Sequence, residues 1–587
     1  MLYKDLVAVY DSLEKTSKRL EKTSLIAELL NATESKDMKV ITLLLQGKIF
    51  PNYDEKKIGV AARLVLKAIN AVSGISIMDI EKEWKKTGDL GIVAENLIGK
   101  KKQSALFTEE LTVQKVFGNL RKISMLEGTG SIDMKIKYIS EILSSATPKE
   151  ARYIIRTILE ELRIGTGEGV LRDAIAWAFF NDVLDIKYDS KSNDINIESR
   201  DVYNEYISII QNAYDMTNDF GEVAEIAREK GIEGLKNVSL HVGIPLKVML
   251  ALKVNSADEG IEKVGKPCAV EYKLDGFRIQ AHKKENGEIS LFTRRLENVT
   301  EQFPEVVSFV RENVKGKSFI LDGEAVGYAP KTGKYLPFQS ISQRIRRKYD
   351  IDKVAEKFPV ELNIFDVLFY NGENYLSIEF EKRRKLLEKV VKQEKRKIVL
   401  AKSIITSSPK DAEKFFKDSL DAGNEGVMFK NLQAPYKPGA RVGFMVKYKP
   451  TMETLDLVIT SAEWGEGKRA NFLSSFTLSC IDDDGNFLDV GKVSTGLKEK
   501  REEGLSFDEL TEELKPLIIS EAGKSVSVKP KIVIEISFEE IQKSPTYSSG
   551  YALRFPRVTS LRIDRSPDEA TSLSYLEDLY YSQKKAK

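Results

Sequence analysis

The sequence predicts three consecutive domains: an all-helical N-terminal region, a central α+β region and a C-terminal β-barrel. The chain has 587 residues, which is too long for one hydrophobic core. Apolar residues recur at intervals of three and four until about residue 230, as in amphipathic helices. From about residue 240 apolar and polar residues alternate, as in strands. The predicted domains are therefore 1–230, 240–449 and 450–587.

The helical region contains two glycine-rich breaks. "DMKIKYISEIL" and "ARYIIRTILEEL" are typical of its helices, and "EGTGSIDMK" and "RIGTGEGVLRDAIA" each place glycines directly before a new helix. The free N–H groups at a helix start can bind a phosphate. Glycines also commonly separate two helices. On spacing alone, both interpretations remain open.

The central region begins with a predicted β-meander. "KPCAVEYKLDGFRIQAHKKENGEISLFTRR" alternates through two turns, at Asp275-Gly276 and Asn286-Gly287, as consecutive antiparallel strands do. "KSFILDGEAVGY" and "FPVELNIFDVLFYNGE" predict two further strands.

One helix of the central region has clear end signals. Ser408 is a plausible N-cap, Pro409 stands at the first helical position and Gly423 lies past the end, an arrangement that favours a helix between them. Glu425 therefore lies where the helix has stopped and the strand "GVMFK" begins.

The C-terminal region predicts short strands around one helix. The strand candidates include "LDLVITSAEW", "SFTLSCI", "FLDVGKV" and "KIVIEISFEEI", and "SFDELTEELKPLI" is the helix. Several short strands with one helix in a region of this size fit a small barrel, and the OB-fold is the leading candidate.

The amino-acid composition limits the kinds of functional site that the chain could contain. With 42% hydrophobic and 31% charged residues the chain is typical of a globular protein. Its longest apolar run, "AIAWAFF", is far shorter than the roughly 20 residues of a membrane span, so we expect no membrane association and a cytoplasmic location. Two cysteines and two histidines argue against a disulfide framework, a zinc site or a histidine-based triad. Carboxylates, lysines and arginines must carry any catalysis.

Charge gives no global argument for nucleic-acid binding, because the net charge is only +2. Two local basic clusters are candidates for it: residues 100–102, and Arg344 with residues 346–348. Each is equally explained as a solvated surface.

The central candidate is Lys273 in "VEYKLDGFR". The pattern Lys-x-Asp-Gly is weak alone, and no Walker P-loop sequence occurs. It gains weight from the segments that follow in order: "FTRRLENVT", "ILDGEAVGY", "NIFDVLFYNGE", "NEGVMFKN" and "RVGFMVKYKP".

In this order and at these intervals, the segments resemble nucleotidyltransferase motifs I, Ia, III, IIIa, IV and V of ATP-dependent DNA ligases, and "RFPRVTSLRIDRSP" resembles motif VI. "LTVQKVFGNLRKISMLEGTGSIDMKIK" and "ELRIGTGEGVLRDAIA" resemble the DNA-binding domain of archaeal and eukaryotic replicative ligases. The resemblance covers nearly the whole chain. It implies a helical DNA-binding domain, an adenylation (nucleotidyltransferase) domain and an OB-fold domain.

The resemblance also implies roles for individual residues. Lys273 would attack the α-phosphate of ATP as a neutral amine, although a free lysine has a pKa of about 10.4; neighbouring lysines and a metal would lower that pKa. The other implied roles are adenine recognition by Glu271; base stacking by Phe365; sugar and phosphate contacts by Arg278, Arg294, Arg441, Lys447 and Lys449; a ribose contact by Glu324; Mg2+ or Mn2+ binding by Glu324 and Glu425; and pyrophosphate orientation by Arg554, Arg557, Arg562 and Arg565.

Each role has a plain alternative: a strand glutamate can be a solvated charge, Phe365 can be a core residue, and the four arginines can form a surface face. Arg565 stands where the family often has lysine, which leaves its individual role open.

The implied reaction is the sealing of nicks in double-stranded DNA through lysine–AMP and DNA–adenylate intermediates, in replication, repair and recombination. A helical region of this size suits the holding of a duplex, so the glycine breaks are interpreted as phosphate contacts. We expect a monomer and a sliding clamp as a further partner, although no segment is assigned to the clamp.

Three alternatives remain. An RNA ligase or mRNA capping enzyme shares Lys-x-Asp-Gly but does not predict the helical region. A NAD-dependent ligase is disfavoured because its zinc-binding cysteines are missing. A non-catalytic DNA-binding scaffold of the same fold predicts nick binding that does not respond to ATP.

Overall fold

The computed structural model describes residues 1–54, 56–99, 110–128, 130–336, 341, 344, 351–439, 442–450 and 454–585. The chain divides into two compact units. The first comprises Met1–Glu83, Leu90–Ser419 and Asn424–Tyr448, and the second comprises Trp84–Asp89, Leu420–Gly423 and Lys449–Lys587.

The chain is mainly helical up to Lys236, as predicted. Its helices are α1 Tyr3–Lys15, α2 Arg19–Ala32, α3 Ser35–Leu45, α4 Ala62–Ser73, α5 Ile77–Thr87, α6 Leu90–Ile98, α7 Val113–Ser124, α8 Ser131–Ser145, α9 Pro148–Ile158, α10 Glu168–Phe179, α11 Asn181–Leu184, α12 Arg200–Thr217 and α13 Phe220–Lys236.

The all-helical expectation misses one small hairpin, formed by β1 (Lys187–Asp189) and β2 (Asp194–Asn196). The Asp189 carboxylate accepts hydrogen bonds from the backbone N–H groups of Lys191 and Ser192. This side-chain turn competes with helix formation.

Both glycine breaks immediately precede a helix, as predicted. Gly130 adopts φ 82° before α8, and Gly167 precedes α10; neither helix start has a side-chain cap. Backbone carbonyls accept from part of each start: the Ser131 N–H of α8 donates to the Gly128 carbonyl at 3.3 Å, and the Val170 N–H of α10 donates to the Gly167 carbonyl at 3.0 Å.

The central part of the first unit contains two sheets. Its elements are β3 Leu252–Val254, α14 Ala257–Val264, β4 Cys268–Lys273, β5 Phe277–Lys283, β6 Ile289–Thr293, α15 Pro304–Asn313, β7 Phe319–Gly327, α16 Ile351–Lys357, β8 Val360–Tyr370, β9 Glu373–Asn374, α17 Phe380–Val390, β10 Ile398–Leu400, β11 Ser403–Thr406, α18 Pro409–Asp421, β12 Gly426–Asn431 and β13 Met445–Tyr448. One sheet has the order β10-β8-β7-β5-β6, with β9 beside β8; the other has the order β11-β4-β12-β13-β3.

The predicted meander is wrong at its first turn. β5 and β6 pair with each other, but β4 belongs to the other sheet, so the turn at Asp275-Gly276 carries the chain from one sheet to the other. Gly276 fits because a Cβ atom there would lie 2.3 Å from the Ala325 carbonyl oxygen on β7. Sequence alternation cannot distinguish this crossing from a hairpin, since both flanking strands have the same period.

The linker from α13 to β3, residues 237–251, lies along β5. Its backbone N–H groups at Gly243 and Leu246 donate to His282 Nδ1 (3.0 Å) and to Gln280 Oε1 (2.9 Å). Gln280 Nε2 donates back to the Leu246 carbonyl at 3.0 Å. Buried side chains of β5 therefore hold a segment that has no secondary structure of its own.

The second unit is rich in strands around a large apolar core, as the barrel prediction requires. Its elements are β14 Leu455–Trp464, β15 Leu473–Ile481, β16 Phe487–Val493, α19 Phe507–Leu514, β17 Ile518–Ala522, β18 Ser525–Val528, β19 Val533–Ser537, β20 Glu540–Lys543, β21 Tyr551–Arg554, β22 Arg557–Leu561 and α20 Leu573–Lys585. The long strand β14 pairs with β15, β18 and β19. The predicted helix is α19, whose start is capped by Ser506.

Within the described residues, none of the helices combines the length and apolarity that a membrane crossing requires.

His282 should make the stability of the first unit depend on pH. Burial lowers the pKa of His282 to about 3, while an unfolded histidine has a pKa of about 6.5. The neutral ring therefore stabilises the fold fully above about pH 6.5, and this contribution is lost as the pH falls towards 3. One proton of difference corresponds to a slope of about 1.4 kcal/mol per pH unit.

We predict that His282→Asn, which keeps an acceptor for Gly243, reduces the loss of unfolding free energy between pH 6.5 and 4. Denaturant unfolding at several pH values measures this. The exposed His241 gives the control His241→Asn. Equal pH slopes for His282→Asn and the unmodified protein would contradict the prediction.

Candidate active site

Lys273 lies at the end of β4, just before the chain crosses between the sheets. Its Nζ is 2.7 Å from Glu425 Oε2, and both side chains are partly buried. The Glu425 backbone N–H donates to the Lys273 carbonyl at 2.8 Å. The end of α18 and the start of β12 thus hold Glu425 directly beside the lysine.

Glu324 belongs to the same charged group. It lies opposite Arg278 in the pairing of β7 with β5. Burial raises the pKa of the Glu324 carboxyl to about 7; the Lys273 and Arg278 charges oppose this shift, and the Glu425 charge adds to it. Lys273, Glu324 and Glu425 therefore lie close enough to influence one another's charge.

The two carboxylates suit a divalent cation. Their oxygens are the ligands that Mg2+ prefers, and a cation would favour the charged form of Glu324, whose pKa is raised by burial and, to a smaller extent, by the Glu425 charge. In the described part of the chain, no group of three or more His, Cys, Asp and Glu side chains could hold a metal. Two carboxylates are sufficient for Mg2+ when phosphate oxygens and waters complete the shell.

Arg278 is anchored by other side chains of the site. Its Nε donates to Asp322 Oδ1 at 2.7 Å, and Nη2 donates to Asp322 Oδ2 and, at 2.8 Å, to the Tyr436 hydroxyl. The guanidinium carbon lies 5.2 Å from the centre of the Phe365 ring.

Phe365 lies between two cations from different sheets. Lys430 Nζ on β12 is 5.0 Å from the ring centre, while Arg278 on β5 approaches the same ring. Phe365 is only half-buried, so its ring is not simply part of the core. The cations lie near its π-system, which favours such contacts.

Glu271 is buried, with only 2% of its surface exposed. Its Oε2 forms an ion pair with Lys430, and its Oε1 is 3.5 Å from Arg384 Nη1. Each carboxylate oxygen has two acceptor positions, so these contacts leave Glu271 capacity to accept from a ligand.

The other predicted nucleotide residues have different surroundings. Lys447 lies opposite Met428, which lies opposite Glu271; directly paired residues share a face of the sheet, so Lys447 is on the face of Glu271. Arg294 is exposed just after β6. Arg441 lies outside the described residues.

Lys449 and the motif VI arginines belong to the second unit. Lys449 forms an ion pair with Glu539 at 3.3 Å. Arg562 and Arg565 share Asp456, at 2.9 and 3.2 Å. Arg554 pairs with Glu540 at 3.3 Å, and Arg557 is exposed on β22. Carboxylates thus already engage three of the four arginines.

Sequence reasoning missed four side chains that complete the site: Asp322, Arg384, Lys430 and Tyr436. Strand alternation could have found one of them, because Asp322 is two positions before Glu324 on β7 and shares its face. Lys430 lies opposite Ala269, two positions before Glu271, a pairing that alternation alone does not give. Arg384 and Tyr436 come from a helix and a loop, for which alternation gives no signal.

One basic candidate has a structural role. Arg344 is 1% exposed, donates to the carbonyls of Phe358 and Gln302 and pairs with Glu305 at 2.6 Å. It is therefore not part of a solvent-facing basic cluster. Residues 346–348 and 100–102 lie outside the described residues.

Comparison with known proteins identifies the family. Residues 2–176 match "DNA ligase N terminus", residues 248–449 match "ATP dependent DNA ligase domain" and residues 469–565 match "ATP dependent DNA ligase C terminal region".

Full-length relatives and a solved structure agree. The chain is 48% identical over 588 residues to a DNA ligase of Nanoarchaeum equitans, covering 100% of the chain and 99% of the relative. It is 42% identical to a DNA ligase of Archaeoglobus fulgidus, covering 99% of each. The solved structure "Pmar-Lig_PreS3" has the same fold, with a TM-score of 0.57, 16% identity and coverage of 95% of this chain and 99% of that one. The chain belongs to the archaeal type of the ATP-dependent DNA ligase family.

Proposed function

We propose that this ligase seals nicks through a covalent adenylate on Lys273, which takes AMP from ATP and passes it to the 5′-phosphate of the nick. The observation that carries the proposal is the Lys273–Glu425 contact of 2.7 Å, made where the two sheets meet and beside Glu324. A nucleophile with a neighbouring proton acceptor is the arrangement that covalent catalysis requires.

In the first step an N–P bond forms between Lys273 Nζ and the α-phosphorus, and the bond from that phosphorus to pyrophosphate breaks. The ammonium must lose a proton before it attacks, and Glu425 Oε2, within hydrogen-bond distance, would accept it before the carboxylate binds a cation. AMP then moves to the 5′-phosphate, and the 3′-hydroxyl displaces it to form the phosphodiester bond. Positioning and electrostatics supply most of the catalysis of such transfers.

Other residues would bind the nucleotide. Glu271 would accept from the adenine amino group, and Phe365 would stack on the base. Phosphate and sugar contacts would come from Arg278, Arg294, Arg441, Lys447 and Lys449, while Arg554, Arg557, Arg562 and Arg565 would orient pyrophosphate. The half-buried position of Phe365 supports base stacking. The position of Lys447 on the same face as Glu271 supports its contact with the same nucleotide.

Glu324 and Glu425 would hold Mg2+ or Mn2+. When bound, the cation offsets negative charge that builds on the α-phosphate.

The helical region, residues 1–230, would hold the duplex; residues 240–449 would form an adenylation domain and residues 450–587 an OB-fold domain. The uncapped starts of α8 and α10 support phosphate contacts there. We further propose that the ligase acts as a monomer in the cytoplasm, in replication, repair and recombination, and binds a sliding clamp.

We predict that Lys273→Ala abolishes the AMP adduct, because alanine has no nucleophile. Intact-protein mass after incubation with ATP and Mg2+ measures the adduct, and circular dichroism checks the fold. Lys263→Ala, on the exposed side of α14, is the control and should keep the adduct. An undiminished adduct in Lys273→Ala would remove Lys273 from this role.

Addition of substrate to the adduct tests the reaction. Loss of AMP as nicked DNA is sealed supports the proposal. An adduct that persists on nicked DNA but reacts with RNA ends would support an RNA ligase instead.

Deletion of residues 1–230 should spare self-adenylation and reduce nick sealing by about a hundredfold or more, because sealing needs the phosphate contacts that hold the duplex. Adduct mass and a gel-based sealing assay measure the two activities. Full sealing by the truncated chain would show that the helical region does not hold the DNA.

Glu324→Gln should raise the Mg2+ concentration needed for half-maximal self-adenylation by about tenfold, since a neutral amide is a poorer ligand for a hard cation. Glu373→Gln, at an exposed position of β9, is the control. Identical Mg2+ dependence in both variants would argue against a metal at Glu324.

A further inference from the structure

The Arg278 guanidinium has only one edge left for substrate. An arginine has five N–H donors. The Nε donor and both Nη2 donors are directed to Asp322 and Tyr436. Within the part of the chain that the structure describes, Nη1 has no hydrogen-bond partner. Arg278 lies opposite Glu324, so its remaining donors are on the face of the sheet that carries the active-site carboxylate.

The Tyr436 hydroxyl is fully used by this arrangement. It donates to Asp322 Oδ2 at 3.0 Å and accepts from Arg278 Nη2 at 2.8 Å and from the Met249 N–H at 3.2 Å. A hydroxyl has one donor and two acceptor positions. Tyr436 is 3% exposed and Asp322 is 0% exposed, so water cannot replace a lost contact easily.

Met249 is part of the linker that lies along β5. The linker N–H groups at residues 243, 246 and 249 lead, in that order, to the side chains of His282, Gln280 and, through Tyr436, Arg278. These side chains occupy alternate positions of one strand and therefore one face. The Tyr436 hydroxyl is thus held from the linker side as well as by Asp322.

We propose that Tyr436 is a positioning residue for nucleotide binding: with Asp322 and the Met249 N–H, it fixes the Arg278 guanidinium so that its Nη1 edge is presented to the nucleotide. The inference rests on the nucleotide-binding role of Arg278 in the proposed function. The ligand of Nη1 is an oxygen of the ribose or the phosphates.

The physical gain is pre-organisation. A free arginine side chain has many rotamers, and ordering it on binding costs affinity. A guanidinium held on two sides before ATP arrives avoids that cost. Loss of the Tyr436 hydroxyl removes one anchor and leaves Met249 N–H and Arg278 Nη2 short of an acceptor, so the guanidinium can rotate towards other partners.

Self-adenylation kinetics at varied ATP concentration test the proposal. In Tyr436→Phe, the KM for ATP should rise about tenfold, while kcat stays within about twofold, because the hydroxyl orders a binding contact and does not take part in bond making. An unchanged KM would overturn the proposal.

Tyr153→Phe is the matched control. Tyr153 is 0% exposed, donates its hydroxyl to Glu14 at 2.8 Å and has Arg156 bound to the same carboxylate, so it repeats the tyrosine–carboxylate–arginine chemistry in the helical region. It should leave KM unchanged. An equal rise of KM in Tyr153→Phe would show a general loss of stability and overturn the proposal.

A double-mutant cycle tests whether Tyr436 acts through Arg278. Arg278→Lys alone should raise the KM for ATP, and adding Tyr436→Phe should change it by no more than about twofold. Effects that multiply would overturn the proposal. If Tyr436→Phe does not fold, Asp322→Asn replaces it in the cycle with the same expectations, since it weakens the same anchor.

The result is separable from the proposed function. A parent protein that forms no AMP adduct with ATP and Mg2+ would refute the covalent mechanism itself. A parent protein that forms the adduct, with a Tyr436→Phe variant of unchanged KM, would refute only the role of Tyr436.

Discussion

The site between the two central sheets depends on the pairing of buried and partly buried charges. Lys273 has Glu425, Glu271 has Lys430, and Arg278 has Asp322. A charge left alone in such surroundings costs several kcal/mol, so each pair requires the strands that carry it to keep their register. The strands in turn bring Lys273, Phe365 and the carboxylates together.

The pairing also explains why Glu324 differs from its neighbours. Burial and the nearby Glu425 charge leave it with a pKa close to neutrality, whereas Glu271, surrounded by two cations, has direct compensation for its charge. Glu324 and Glu271 both lie within strands, but the charged side chains near them differ, so the two carboxylates have different electrostatic surroundings. A cation or a nucleotide would change the balance at Glu324 more than at Glu271.

Much of the fold was predictable from local signals, and the main error came from a non-local one. The helix Pro409–Asp421, capped by Ser408, follows its sequence signals, as do β7 and β8. The crossing between the sheets at Gly276 did not follow local signals, because the partner of a strand depends on residues that are distant in the sequence, such as Ala325. In the site, Lys273, Glu324 and Glu425 were recognisable by motif order. Tyr436 and Arg384 were not, because a loop and a helix bring them in from outside any periodic pattern.

The linker along β5 has a consequence for chain length. The linker N–H groups that form these bonds are three residues apart, at 243, 246 and 249. The first two bond to His282 and Gln280, which are two residues apart on β5, and the third bonds to the Tyr436 hydroxyl. An insertion before Gly243 would leave this correspondence intact, whereas one extra residue between Gly243 and Met249 would put every later N–H group opposite the wrong side chain. The stretch from Gly243 to Met249 must therefore keep its exact length. Surface loops generally tolerate insertions, but this stretch does not.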